Sequence, residues 1–320
     1  MKIVVTGAAG YIGAATVARL LEAGHTVHGL DCLRFGGAAL AGSYLTGRFT
    51  LTRGDIRDRG LVAEVLAGTD AVIHLAGIVG DPACAAEPGL ARAINLDAAV
   101  ALHDAATRAG AGRFVFASTC SVYGHCDHPA NESAPLHPLS LYAHTKADAE
   151  AALLGQAAGS MATTVLRFAT VYGLAPRMRF DLVVNTFTAH ALTTRRLRVD
   201  APRAWRPFVH VADVAGAITA VVQAPAATVR GQVFNVGSAD NWQLADVARL
   251  VAEICGPGVS VDITPAHGDP RDYRISTGKL AAATGWMAAR TLHGGIGELA
   301  GALSAGVLDG HPALADRRAA

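Results

Sequence analysis

The chain is poor in cysteine, in net charge and in long hydrophobic runs. Five cysteines among 320 residues are an odd number without the paired spacing of a disulfide framework or a zinc ribbon, so we expect reduced thiols and a cytoplasmic location. A formal net charge of +1 gives no reason to expect nucleic acid or an anionic membrane as a partner. No apolar run reaches the ~20 residues of a membrane span, and a strand that begins within two residues of Met1 argues against a signal peptide.

Apolar residues, by contrast, are abundant. They make up 51% of the sequence against 17% charged residues, which is enough for a large core. Short apolar runs alternate with helical periodicity through the first half of the chain, and this alternation predicts an α/β fold with a doubly wound parallel sheet. We predict a Rossmann-type domain over 1–176, to which 193–236 returns, and a smaller substrate-binding lobe formed by 177–192 and 237–320.

Three glycines stand between the first strand and the first helix. Ile3 to Val5 reads as a buried strand, and Gly7, Gly10 and Gly13 follow at once. Such glycines permit a tight turn, a close approach of a pyrophosphate to the backbone, and close packing of helix on strand. The loop therefore predicts a dinucleotide site.

An acidic residue ends the second strand. Asp31 stands where a carboxylate accepts hydrogen bonds from the adenosine ribose hydroxyls, and a carboxylate there repels a 2'-phosphate. NAD is therefore favoured over NADP.

The candidate chemistry lies at the ends of later strands. Thr119, Cys120 and Ser121 follow the fifth strand, while Tyr142 and Lys146 lie on one face of a predicted helix Leu141–Gln156. A tyrosine is a base at neutral pH only if its pKa falls from ~10, and a nearby ammonium and a nicotinamide cation favour the phenolate. Tyr142 is thus the candidate base, with Thr119 orienting the same substrate hydroxyl. His125, Cys126 and His128 lack a fourth ligand, so we predict no metal site.

Together these residues resemble the extended short-chain dehydrogenase/reductase family, in the branch of nucleotide-sugar epimerases and dehydratases. Further motifs that carry the resemblance are Asp55 Ile56, His74 Leu75 Ala76, Ser118 to Gly124, Val171 Tyr172 Gly173 and Arg206 to Val211. The resemblance implies that NAD is held by Gly7, Gly10, Tyr11, Ile12, Gly13, Asp31, Asp55, Ile56, Leu75, Ala76, Gly77, Ser118, Tyr142, Lys146 and Phe168. It implies contacts with the diphosphate of the substrate from Arg206, and from Arg271 or Arg274 in the segment that begins at Asp269. From their places in the chain, Asp81, Thr119 and Arg179 are further candidate substrate contacts.

The activity so implied is oxidation of a sugar hydroxyl, usually at C4, followed by return of the hydride to the other face. Hexose 4,6-dehydratases carry Asp and Glu directly after the catalytic threonine, whereas this chain has Cys120 and Ser121. We therefore expect an NAD-dependent C4 epimerase of a nucleotide-linked sugar. The alternatives are a dehydratase that uses Cys120 or Asp81, a ketosugar reductase, and a non-catalytic NAD-binding subunit.

Three residues on the substrate side each allow two readings. Thr170 replaces the asparagine that usually precedes Val-Tyr-Gly in the family, so a nucleoside or a sugar without the standard diphosphate is an alternative substrate, unless Arg177 and Arg179 bind the phosphates instead. Cys120 is either a small space-filling residue or an acid/base with a depressed pKa. Asp81 fits a substrate contact or a turn equally well. The resemblance also suggests a homodimer through predicted helices at Ala91–Ala109 and Leu141–Gln156.

Overall fold

The computed structural model describes residues 1–156, 160–264, 271–311 and 314. The strands, in chain order, are β1 Lys2–Thr6, β2 Thr26–Asp31, β3 Phe49–Arg53, β4 Ala71–His74, β5 Arg113–Thr119, β6 Ala162–Phe168, β7 Thr170–Tyr172, β8 Arg196–Val199, β9 Trp205–His210, β10 Gln232–Val236, β11 Asn241–Gln243 and β12 Ser260–Ile263.

The helices are interleaved with these strands. They are α1 Tyr11–Glu22, α2 Ala41–Tyr44, α3 Arg59–Leu66, α4 Asp81–Ala86, α5 Pro88–Arg92, α6 Ala98–Arg108, α7 Leu141–Gly155, α8 Val183–Thr193, α9 Val211–Gln223, α10 Ala226–Val229, α11 Leu244–Cys255, α12 Gly278–Thr284 and α13 Leu292–Ser304. Short 3-10 turns occur at Ala38–Leu40 and Cys120–Tyr123, and a π-helical turn at Ala93–Asp97. No helix in the described part of the chain combines the length and the apolarity that a membrane span requires.

The main sheet has seven strands in the order β10-β6-β5-β4-β1-β2-β3, and every neighbouring pair is parallel. The chain winds outward in both directions from β1, so the carboxyl ends of β1 and β4 mark the switch point at which open α/β sheets bind ligands. The predicted α/β, Rossmann-type sheet is confirmed.

Both faces of this sheet are covered. Successive residues of β1 point to opposite faces: Ile3 and Val5 pack in the core that includes α1 and α9, and Val4 packs in the core that includes α3, α6 and α7. All seven residues of β6 are buried. A strand covered on both faces does not alternate between apolar and polar residues, and β1 accordingly contains the apolar run Ile3 to Val5. β6 also buries Thr163, Thr164 and Arg167, whose polar groups form hydrogen bonds.

Two smaller sheets follow, with strand orders β11-β9-β7 and β12-β8. They share a third core with α8, α11 and α13. The last strand of the main sheet, β10, returns from this later half of the chain to pair with β6. The predicted division into two parts stays a prediction. It assigns 1–176 and 193–236 to the Rossmann-type domain, and 177–192 and 237–320 to the substrate-binding lobe, whose last residues lie outside the described ones.

The helical pattern predicted over Ala91–Ala109, with a possible start at Pro88, is confirmed: the segment is helical from Pro88 to Arg108. What the pattern did not predict is the π-helical turn between α5 and α6. The extra residue in that turn directs the amide of Asn95 at the loop after β4, where it accepts from the Ile78 N–H at 2.8 Å and donates to the Ile78 carbonyl at 2.9 Å. Turns of this kind are frequent at functional sites.

Candidate active site

Two glycines have no room for a side chain: Gly7, in the loop between β1 and α1, and Gly13, in the first turn of α1. Gly7 has φ +70°, and a Cβ on it would lie 2.7 Å from the amide nitrogen of Ala76 on the neighbouring strand end. A Cβ on Gly13 would lie 2.0 Å from the carbonyl oxygen of Gly7. The backbone therefore turns tightly enough to present the N-terminus of α1 to an anion.

Asp31, at the end of β2, is held in place by this loop. One of its carboxylate oxygens accepts from the Ala9 N–H at 2.9 Å and the other from the Leu33 N–H at 2.7 Å. Each oxygen retains a lone pair, so the carboxylate is oriented and can still accept from ribose hydroxyls.

A cleft of about 560 Å³ opens along the strand ends. Every one of the fifteen residues that the sequence assigned to NAD lines it. Of the residues assigned to the substrate, Arg179 also lines this cleft. The strand order has thus brought together residues that are far apart in the chain.

Lys146 lies deep in the cleft and is 4% exposed. Its Nζ donates to the Ala117 carbonyl at 2.9 Å and lies 4.6 Å from the centre of the Phe116 ring. Burial lowers the pKa of Lys146 to about 8. The negative charge of Glu150, one helical turn further along α7, acts in the opposite direction and raises this pKa. The ammonium is thus directed at the end of β5.

Tyr142 lies one turn before Lys146 and also lines the cleft. Burial raises the pKa of Tyr142 above its ordinary value, although the charge of Arg179 and a hydrogen bond with Thr119 act to lower it. The lowered pKa expected from the sequence therefore does not follow from the charges of these neighbouring side chains. The strongest lowering influence is therefore Arg179, whereas the sequence argument assigned this effect to Lys146.

The comparisons with known proteins agree with this geometry. Residues 3–237 match the model of the NAD dependent epimerase/dehydratase family. The chain belongs to this family.

Its relatives include both kinds of enzyme. The chain is 30% identical to UDP-glucose 4-epimerase of Corynebacterium glutamicum, over 91% of this chain and 92% of the relative. It is 31% identical to dTDP-glucose 4,6-dehydratase of an Actinoplanes species, over 93% of this chain and 96% of that protein. Similar solved structures are MoeE5 in complex with UDP-glucuronic acid and NAD (28% identity, TM-score 0.81, coverage 92% and 96%) and UDP-glucose 4-epimerase of Thermotoga maritima with UDP-glucose (26%, 0.86, 96% and 100%).

The cleft of this epimerase/dehydratase fits NAD, the cofactor of the family. The glycine loop would hold the diphosphate at the N-terminus of α1, and Asp31 would accept from the adenosine ribose. Lys146 and Tyr142 would lie at the nicotinamide end. The steric cradle at Gly7 and Gly13 shows that the fit is built into the backbone.

Thr119 and Ser121 lie in a small polar cluster next to Tyr142. The Thr119 hydroxyl donates to the Ser121 hydroxyl at 3.1 Å, and the Ser121 hydroxyl lies 3.3 Å from the phenol oxygen of Tyr273. Tyr273 is 3% exposed, and the guanidinium of Arg206 lies 5.4 Å from its ring centre. The sequence argument gave Tyr273 no role of its own.

Cys120 is turned away from this cluster. Its side chain is fully buried, and the thiol donates to the Arg167 carbonyl at 3.2 Å. Burial raises the pKa of Cys120 well above its ordinary value, so the depressed pKa that would make it an acid/base is wrong for this structure. β5 ends at Thr119 and Cys120 begins the 3-10 turn that follows, so these two consecutive side chains point to different surroundings.

The predicted substrate-binding arginines separate into two places. Arg206 donates to the Arg271 carbonyl, and the Arg271 side chain forms an ion pair with Asp81 at 3.1 Å. Arg274 instead donates to the Asp127 carbonyl and stacks on Trp205 at 5.2 Å. Of the two arginines that the sequence left open, Arg271 is therefore the one that lies next to Arg206. Asp269 and Pro270, which precede it, lie outside the described residues.

Two further buried polar residues support the site. Asn95 ties the loop after β4 to α7, where its amide donates to the Thr145 hydroxyl at 3.4 Å. Glu150 forms an ion pair with Arg167 and accepts from Ser118. The sequence contained a pattern that could have identified Glu150, because Tyr142, Lys146 and Glu150 recur every four residues on one helix face. For Asn95 the sequence offered only a single amide side chain in an alanine-rich helix.

Proposed function

We propose that this protein is an NAD-dependent 4-epimerase of a nucleotide-linked sugar. Tyr142 takes the proton of the sugar hydroxyl, Thr119 orients that hydroxyl, and Lys146 holds the nicotinamide ribose and contributes positive charge. NAD, when bound, accepts a hydride from the sugar carbon and returns it. If the ketosugar turns over within the site before reduction, its configuration inverts and no cofactor is consumed.

The placement of Cys120 is the observation that carries this proposal. Elimination of water requires a second acid/base pair next to the threonine, in addition to the base that oxidises the sugar. The Cys120 thiol is buried against Arg167, and its neighbour Ser121 carries a hydroxyl that is not an acid/base near neutral pH. This arrangement supports return of the hydride over dehydration.

Arg206 and Arg271 support a nucleotide-linked sugar as the substrate. Arg206 lies next to Tyr273, which contacts Ser121 of the Thr119 cluster, and donates to the Arg271 carbonyl. Arginines bind phosphate through paired N–H donors, so this pair suits the diphosphate of the substrate.

Incubation in D2O with NAD+ tests the reaction. The substrates are UDP-glucose, dTDP-glucose and UDP-glucuronic acid, the sugars named with the relatives, and the products are read by mass spectrometry and NMR. A diastereomer of unchanged mass without deuterium on carbon is expected. Loss of water, or deuterium next to the oxidised carbon, would overturn the 4-epimerase proposal in favour of a dehydratase; consumption of one NADH per ketosugar would favour a reductase.

Tyr142→Phe provides the matched control. We expect kcat to fall by about 10²- to 10⁴-fold because the variant lacks the base, while NADH still binds. Tyr44→Phe removes a phenol from an exposed side chain and should leave kcat unchanged. Full turnover by Tyr142→Phe would show that another group is the base, and binding of NADH with no turnover of any sugar by the wild type would favour a non-catalytic subunit.

We also propose a cytoplasmic homodimer. The cysteines in the described residues are all unpaired, which is compatible with a reducing compartment. Ala147 and Ala151 leave α7 with a small-residue surface that suits close packing against a second copy. Sedimentation at several concentrations tests the dimer, and a monomer at all of them would contradict it.

A further inference from the structure

A short segment after β7 crosses the outer side of the cofactor cleft. We call residues 177–181 the strap. Within it, the partly exposed Arg177 and Arg179 alternate with Met178 and Phe180, which are 3% and 4% exposed. Alternation of this kind is typical of an extended chain with one face on a core. Both arginines therefore face the cleft, which they line.

The backbone of the strap is fixed on its inner side. The Asn185 amide donates to the Arg179 carbonyl at 2.9 Å, and the Thr186 hydroxyl donates to the Phe180 carbonyl at 2.6 Å. The Met178 sulfur accepts from the Ala175 N–H at 3.3 Å. The strap is thus held to the body of the protein by both backbone and side chains.

The side chain of Arg179 lines the cleft and is held there by a neighbouring carboxylate. It forms an ion pair with Asp181, with distances of 2.6 and 3.0 Å, and its charge acts on Tyr142 and Tyr11. Tyr11 is the first residue of α1, and Tyr142 lies at the nicotinamide end.

Arg177 contacts the loop that follows β2. Its guanidinium lies 4.1 Å from the centre of the Phe35 ring, and Asp31 and Asp181 act on its charge. Within the described part of the chain no ion pair joins Arg177 to a carboxylate. The guanidinium of Arg177 therefore lines the cleft with an aromatic ring on one side, and the Asp31 and Asp181 carboxylates act on it only at longer range than an ion pair.

Phe35 is presented by a strained turn. Leu33 has φ +58° and Gly36 φ +78°, in the left-handed region that a leucine rarely adopts. The turn leaves the Phe35 ring 67% exposed although it lines the cleft. Strain of this kind persists where the surrounding structure holds a functional geometry.

We propose that Arg177 and Phe35 form a clasp that closes the outer side of the cleft over the diphosphate of NAD and slows release of the cofactor. The clasp joins the loop after β2 to the strap, and the diphosphate would lie between it and the N-terminus of α1. The guanidinium supplies charge to the phosphates, and the ring holds the guanidinium in place by a cation–π contact. The proposal rests on cofactor binding, whichever reaction the enzyme performs.

The rate of cofactor release tests the clasp without any turnover. NADH is bound to the protein, an excess of NAD+ is added in a stopped-flow instrument, and the loss of bound NADH fluorescence is followed. We expect release to be about tenfold faster in Arg177→Ala and several-fold faster in Phe35→Ala. Phe35→Leu, which retains apolar bulk without a π face, should behave like Phe35→Ala.

A double variant separates a clasp from two independent contacts. If the two side chains act together, Arg177→Ala with Phe35→Ala should release NADH no faster than Arg177→Ala alone. If the double variant instead released NADH faster by the product of the two single-variant increases, the side chains would act independently and the clasp would be overturned. Arg19→Ala, which removes an exposed arginine of α1, is the charge control and should release NADH like the wild type.

The same variants distinguish cofactor from substrate. If Arg177→Ala raised the KM for the nucleotide sugar and left NADH release unchanged, the arginine would belong to the substrate and the proposal would be overturned. If the wild type bound no NADH, the cofactor assignment itself would fail, and the clasp with it.

Discussion

Arg167 and Glu150 form a buried ion pair beneath the active site, with Nη2 and Oε2 2.6 Å apart and side chains 6% and 3% exposed. The pair joins β6 to α7, and Glu150 also accepts from the Ser118 hydroxyl at the end of β5. Arg167 donates to the phenol of Tyr123 at 2.9 Å, in the turn that follows Thr119. The elements that carry Thr119, Tyr142 and Lys146 are therefore held together by one polar network.

The first prediction concerns this pair. Glu150→Gln leaves the Arg167 guanidinium buried without its counter-ion, so we expect the free energy of unfolding to fall by about 3 kcal/mol. Asp262→Asn breaks the exposed ion pair with Arg196 and should cost below about 1 kcal/mol. Urea unfolding of both variants measures the two changes, and equal losses would show that burial does not set the contribution of the Glu150 pair.

The second prediction is a pH dependence of stability. The pKa of Lys146 is about 8 in the folded protein, below its ordinary value of 10.5, so between these values the unfolded chain binds more protons than the folded one. The free energy of unfolding should therefore rise with pH through this window, by about 3 kcal/mol from this residue. Below pH 8 the destabilising effect of the buried ammonium is present in full.

Lys146→Met tests this dependence. The variant should lack the rise, so the difference between variant and wild type should change steadily from pH 8 to 10.5. Lys279→Met removes a lysine from an exposed position on α12 and serves as the control. Parallel curves for the wild type and Lys146→Met in urea unfolding would contradict the shifted pKa.

The third prediction concerns the glycine loop. Gly13→Ala places a Cβ about where the Gly7 carbonyl oxygen lies, so the loop must shift, with a loss of about 1–3 kcal/mol in unfolding free energy and weaker NADH binding. Gly42→Ala, on α2, meets nothing within 4 Å and should be neutral or slightly stabilising. Fluorescence titration with NADH measures the binding; wild-type affinity in Gly13→Ala would contradict the cradle.

The fourth prediction separates structure from catalysis at Cys120. Because its thiol is buried against the Arg167 carbonyl, Cys120→Ala should lower the unfolding free energy by about 1 kcal/mol and leave kcat within a few-fold of the wild type. Cys255→Ala, at a partly exposed cysteine of α11, controls for loss of a thiol. A fall in kcat of about 100-fold or more at unchanged stability would restore Cys120 as an acid/base.

Much of the cofactor site could be predicted from local sequence. The glycine loop, Asp31 and the Tyr142, Lys146 pair are each defined by spacing within one strand, turn or helix, and such spacing follows from covalent geometry. Parallel strand order then collects their ends at one edge of the sheet. For this reason every predicted cofactor residue lines the cleft.

Contacts between distant segments could not be predicted in this way. Arg179 rather than Lys146 acts most strongly on Tyr142, Cys120 faces the core, Arg177 stacks on Phe35, and the helix at Ala91–Ala109 is interrupted at Asn95. Each depends on which way a side chain points once the strands are paired and the helices packed, and one residue of offset reverses that direction. The sequence by itself determined the sheet, the dinucleotide loop and the residue types of the site. Only the tertiary structure decided which charged side chains lie close together. Charges interact strongly only over a few ångströms, and the separation of two residues along the chain does not predict how far apart they lie in the fold.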